Sequence, residues 1–157
     1  MPPIENASTH PLPALAFSVR QPWTWAIVHA GKPVENRDWK PGNPGLRFRG
    51  RVCLHASAGM TKAEYRDARD FIESLGIKVP AFEDLQRGGI IGVTTIVDVV
   101  KRHDSRWFFG PVGLVLKDTQ PVAFIPVKGA LGFFEWRQRV MEPAAPTSPP
   151  PSQGSLL

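Results

Sequence analysis

The 157-residue chain carries 19 Lys and Arg against 14 Asp and Glu, a formal charge of +5, with 42% apolar and 10% aromatic residues. These values suit one globular domain with a real core, and no apolar run approaches the roughly eighteen residues of a membrane-spanning helix. A single cysteine, Cys53, rules out an internal disulfide. Together with a first stretch that lacks a signal peptide's basic end and apolar core, it predicts a cytoplasmic protein with no membrane partner.

Residues 1–13 contain four prolines and no apolar periodicity, and are expected to form an irregular N-terminal arm. The domain itself is expected over residues 14–139. Leu15, Phe17 and Val19 alternate with Ala16, Ser18 and Arg20, the period of a half-buried strand. A short helix follows, with Pro22 at its first position and Gly31 as the left-handed residue past its end. Trp23, Ala26, Ile27 and Ala30 share its apolar face. The polar groups Arg20 and Gln21 on one side, and Lys32, Glu35, Asn36 and Arg37 on the other, are thereby strung on either end of the helix. If the entering strand and the leaving segment return side by side, these groups line one cleft; otherwise they are ordinary surface ion pairs.

Asp38-Trp39-Lys40 opens a loop punctuated by Pro41-Gly42 and Pro44-Gly45. An aromatic beside a base on a loop suits stacking on a nucleobase with its phosphate held, or capping of the fold's end. Leu46, Phe48 and Gly50 alternate with Arg47, Arg49 and Arg51, which predicts three arginines on one strand face. Val52, Leu54 and Ala56 then alternate with Cys53, His55 and Ser57. The spacing places His55 and Ser57 together, as pocket wall or as base and nucleophile, the latter needing a third orienting group.

A second helix is marked by a capping box at Thr61 and Glu64, a staple between Met60 and Tyr65, and a stop at Gly76. Ala68, Phe71, Ile72 and Leu75 form its inner face, while Arg66, Arg69, Asp70 and Glu73 give a mixed-sign solvated face. GGIIGVTTIVDVV at 88–100 reads as a central strand with a bulge or bend at Gly92. Val112–Leu116 and Val122–Val127 read as two further strands joined by a turn at Asp118-Thr119-Gln120, with Pro126 at an edge. Lys128–Gly132 is a backbone-exposing loop and Phe133, Phe134 and Trp136 pack the closing end. Residues 140–157, rich in Pro, Ser and Ala, are expected to be a disordered tail.

All 19 basic residues lie between Arg20 and Arg139, against 12 acidic ones, a net +7. A field of this sign attracts polyanions. The histidines His10, His29, His55 and His103 are scattered without ligand spacing and no phosphate-loop motif is present, so no cofactor or metal is expected.

The ordered motifs RQPW at 20–23, GKPVENR at 31–37 and RGRVCLHAS at 49–57, followed by GGIIGV, FGPVGLVL and KGALGFFEW, resemble the ASCH domain of the PUA-like superfamily over residues 14–139. The resemblance implies an α+β fold, a small mixed open β-barrel of five to six strands with two main helices. It further implies binding of RNA, a nucleotide or a modified nucleoside in a basic cleft between the first helix and the barrel. The ligand-contacting residues would be Arg20, Gln21, Trp23, Lys32, Glu35, Asn36, Arg37, Trp39, Lys40, Arg47, Arg49, Arg51, His55 and Ser57. Two alternatives come with it. One is a metal-independent hydrolase of RNA or of N4-acetylcytidine, using Lys32, Glu35 and His55, although Glu35 stands where those amidohydrolases carry threonine. The other is a coregulator-type protein-interaction module.

Overall fold

The computed structural model describes residues 11–142. Most of the N-terminal arm and nearly all of the Pro-rich tail therefore lie outside the described residues. In chain order the elements are β1 (Leu15–Val19), α1 (Trp23–His29), β2 (Val34–Arg37), a 3-10 turn (Pro44–Arg47), β3 (Gly50–Ala56), α2 (Lys62–Ser74), β4 (Gly89–Val100), β5 (Val112–Pro126) and β6 (Phe133–Glu135). The fold is mixed α+β, with two helices and one six-stranded sheet in the order β2-β5-β4-β3-β1-β6. β1 runs parallel to β3 and every other neighbour pair is antiparallel. The short edge strands β2 and β6 do not pair with each other, so the sheet is not closed into a barrel. No helix among the described residues is long and apolar enough to cross a membrane.

β4 is central because its β-branched run meets apolar neighbours on both sides: Ile90, Ile91, Val93 and Ile96 are all buried. Register shifts flank Gly92, as a bulge there requires. Close approach adds a second reason, since a Cβ on Gly92 would stand 2.7 Å from Cγ2 of Val28 on α1. The helix thus lies directly on the strand.

Two sequence expectations change. Val112 to Pro126 is one continuous strand and not two, although Asp118 takes a left-handed φ of +56°. Asp118 and Thr119 make a bulge opposite Thr94, whose buried hydroxyl bonds to Thr119 Oγ1 at 2.7 Å and to the Lys117 carbonyl. Local turn chemistry is absorbed there without reversing the chain. Likewise Arg47, Arg49 and Arg51 do not share a strand face. Asn43 accepts from the Gly45 N–H and Pro44 follows it, so Arg47 closes a 3-10 turn, and the strand begins only at Gly50.

Both faces of the sheet are covered. Phe17, Val19, Val52 and Leu54 join Ile27 of α1 on one side, while Ala16, Cys53, Ile90 and Trp136 cluster separately. That is why β3 is buried at every residue from Val52 to Ala56, where a one-sided strand would alternate. Burial also pushes the Cys53 thiol up to about 11, which suits an inert core residue. α2 carries the expected capping box, with Thr61 and Glu64 bonding reciprocally, and packs Tyr65, Ala68 and Ile72 inward. Packing reaches past residues 14–139: the Pro13 carbonyl accepts from the Trp136 indole, and Val140 bridges to Val127.

Candidate ligand-binding cleft

A sharp turn after β1 starts the site. The Arg20 carbonyl accepts from the N–H groups of Trp23 and Thr24, and the buried Thr24 hydroxyl donates back to the Val19 carbonyl. At the far end of α1, Gly31 at φ +72° turns the chain so that β2 pairs with β5. β1 and β2 do not pair, three strands separating them in the sheet, but the Arg37 side chain reaches across to the Ser18 carbonyl. A cleft of about 350 Å³ opens there, lined by Ser18, Arg20, Gln21 and Trp23 from one side, Glu35, Asn36, Arg37 and Asp38 from the other, and Glu64 of α2.

Beneath this surface lies an ion-pair chain. Lys32 Nζ donates to Glu35 Oε1 and to the Val34 carbonyl, both at 2.7 Å, and its side chain is 1% exposed. Lys32 therefore supports Glu35 from below and does not reach the cleft's open face. Glu35 Oε2 stands 3.4 Å from the Arg37 guanidinium, which donates to the Ser18 carbonyl and lies over the rings of Phe17 and Trp39. The outer wall holds a second pair, Arg20 with Glu64 of α2 at 2.6 Å, both about half exposed. The bond from Arg20, then that from the Thr61 backbone, holds the Glu64 carboxyl below its ordinary range. In the sequence Glu64 is marked only as the partner of Thr61 in a capping box, and nothing local marks it as a cleft residue.

The cleft is not basic. Arg20, Arg37 and the underlying Lys32 face Glu35, Asp38 and Glu64, so three cations meet three carboxylates. The positive excess of the sequence lies elsewhere.

Gln21 and Asn36 also line the cleft, and both are fastened to neighbouring backbone. Gln21, 2% exposed, donates to the Gln86 carbonyl and accepts from the Trp25 N–H. Asn36 donates to the Trp107 carbonyl at 3.0 Å and accepts from Phe109 N at 2.7 Å and Gly110 N at 3.0 Å. It thereby holds the 107–110 loop, whose Trp107 and Phe109 rings meet Trp23 edge-on.

The partner of His55 is Ser18 and not Ser57. The two are directly opposite across the parallel β1–β3 pair, with Ser18 Oγ and His55 Nδ1 2.8 Å apart, whereas Ser57 lies beyond the strand. His55 Nε2 sits 2.7 Å from the Val127 carbonyl. A carbonyl only accepts, so Nε2 bears the hydrogen and neutral Nδ1 accepts from the Ser18 hydroxyl. Gly129 closes on this pair: a Cβ there would stand 2.7 Å from His55 Cε1 and 3.0 Å from Ser18 Oγ. A separate cavity of about 430 Å³ opens beside Ser18, His55 and Ser57.

Burial holds the His55 pKa below its ordinary value, with the Val127 carbonyl opposing and Arg139 adding to the shift. Unfolding then takes up a proton between the native pKa and about 6.5, so stability is complete above that range and falls as pH drops through it. Denaturant midpoints measured from about pH 7 to about pH 5 should fall more steeply for the parent than for His55→Gln. The slope lost should not exceed about 1.4 kcal/mol per pH unit.

The remaining predicted contacts lie outside the cleft. Trp39 rests against the Gly45 backbone and edge-on to Phe133, 5.8 Å between centroids. Lys40 pairs with Asp38 at 3.2 Å on the open surface. Arg49 donates to the carbonyls of Leu46 and Phe48 and lies 3.6 Å from Asp98. Arg47 and Arg51 are exposed, the latter on β3. No group of three His, Cys, Asp or Glu side chains that could hold a metal ion occurs among the described residues.

Against known families, the sequence model of the ASCH domain matches residues 17–142, most of the chain. No curated protein matches the chain.

Proposed function

The chain belongs to the ASCH domain family, and from that premise we propose that it binds RNA or a nucleotide, holding a base in the cleft between α1 and the sheet. The observation that carries this reading is the juxtaposition of Glu35 Oε2 and the Arg37 guanidinium, an acceptor beside donors on one wall. The cleft volume of about 350 Å³ falls in the range of small-ligand pockets. A carboxylate accepts from the exocyclic amine of cytosine, and Arg37 supplies donors to a carbonyl of the same base edge. Lys32, being buried, is the group that orients Glu35. A cytoplasmic location goes with this reading.

Titration with short single-stranded RNAs that differ only in base tests it. Assayed below its own melting transition, since it also breaks the buried pair with Lys32, Glu35→Gln is expected to cost about 1–3 kcal/mol for the base it reads and to leave the others nearly unchanged. Equal loss for every base, or none for any, contradicts the assignment.

A second reading, metal-independent hydrolysis of the bound RNA or nucleoside, draws support from one observation: the hydroxyl of Ser18, which borders the cleft, faces a neutral histidine nitrogen in the separate cavity beside it. Turnover by the parent that His55→Gln abolishes distinguishes it from binding alone.

A further inference from the structure

The cleft and the basic excess of the chain occupy different places, and the boundary between them is a single residue. Asp38 borders both the cleft and a neighbouring cavity of about 550 Å³. That cavity is lined mainly by apolar groups, Trp39, Leu46 and Pro111 among them, together with Asn43, the Asp38–Lys40 pair, Arg47 and Lys101. The last two are exposed, and neither forms a salt bridge with a described carboxylate. In the cleft, by contrast, both guanidiniums are already engaged with carboxylates.

These two environments suit different parts of one ligand. A balanced set of charges offers little to a phosphate, which would bring an anion next to Glu35 and Glu64, but it offers donors and acceptors to an uncharged base edge. A largely apolar cavity lined also by two cations without a carboxylate partner suits a base with its backbone phosphate. We infer that the Trp39 cavity is a second nucleotide site and that the ligand is a single-stranded RNA segment crossing Asp38, with one base in the cleft and the adjoining nucleotide, phosphate outward, against Arg47 and Lys101. This inference rests on the reading of the cleft given above. It adds that phosphate affinity comes from the Trp39 side and not from the cleft.

The experiment compares the parent with the double variant Arg47→Ala/Lys101→Ala, using short single-stranded RNA of mixed sequence and the four free ribonucleosides as probes. A second double variant, Arg66→Ala/Lys78→Ala, removes the same charge from exposed positions on and just beyond α2. The first variant should bind RNA about tenfold or more weakly at low salt, with a log K against log salt slope shallower by about 0.7 for each cation removed. Its nucleoside binding should match the parent, and the α2 control should keep the parent's slope. All three proteins must melt alike, which the surface positions favour. Unchanged RNA affinity and slope in the first variant, with nucleoside binding intact, overturns the second site and leaves the cleft reading standing. An equal loss in the control reduces the effect to net charge and also overturns it. A parent that binds neither probe removes both readings together.

Discussion

Replacing Lys32 with alanine is expected to destabilise the domain by about 3–5 kcal/mol, the cost of breaking a buried ion pair from one side. The ammonium is 1% exposed and supplies Glu35 Oε1 with its 2.7 Å partner, so its removal leaves a carboxylate that is 11% exposed with only Arg37 at 3.4 Å. Lys32→Met combined with Glu35→Gln should recover most of that loss, because neutral groups of similar size leave no uncompensated charge. Denaturant unfolding with the two variants side by side checks this. If Lys32→Ala is as stable as the double variant, the pair does not hold the cleft floor.

Asn36 is the second position where a single change is expected to cost much. Its amide makes three hydrogen bonds to the 107–110 loop. At about 1 kcal/mol each, Asn36→Ala should lose about 3 kcal/mol and loosen Trp107 and Phe109 from Trp23. Asn36→Asp keeps both acceptor bonds, to Phe109 N and Gly110 N, but sets an oxygen against the Trp107 carbonyl. It should fall between parent and alanine in melting temperature. A loss for Asn36→Ala confined to a few tenths of a kcal/mol would show that the loop is held by its aromatic packing alone.

What was legible in the sequence was local. The capping box of α2, the Gly31 stop of α1 and the β-branched run of β4 each depend on residues within a turn or a strand of one another, and each forms as read. The site depends on distant partners. Ser18 meets His55 across 37 positions, Arg20 meets Glu64 across 44, and Asn36 meets the loop at 107–110 across more than 70. No spacing rule connects such residues. His55 was therefore matched with Ser57, its neighbour in sequence, when the parallel β1–β3 register sets Ser18 opposite it. The arginine stripe failed for a different reason: alternation at 46–51 imitates a strand, but Asn43 and Pro44 impose a 3-10 turn first. At 118–120 turn-forming residues met a central strand partner, and the ladder with β4 won. Charge was the least transferable signal. A net +7 over residues 20–139 does not say that the cleft itself is balanced, because carboxylates from β2, the 38–43 loop and α2 gather there.

Glu35 and Arg37 are proposed to take an uncharged base edge in the cleft. The most direct measurement follows the backbone amide resonances of isotopically labelled protein during parallel titrations with the four ribonucleosides and with ribose 5-phosphate, which carries the phosphate and no base. One nucleoside, an amine-bearing one, should move the signals of Ser18, Glu35 and Arg37 in the parent and not in Glu35→Gln, while ribose 5-phosphate leaves those signals in place. Movement of the same signals by ribose 5-phosphate, with no response to any nucleoside, would contradict it.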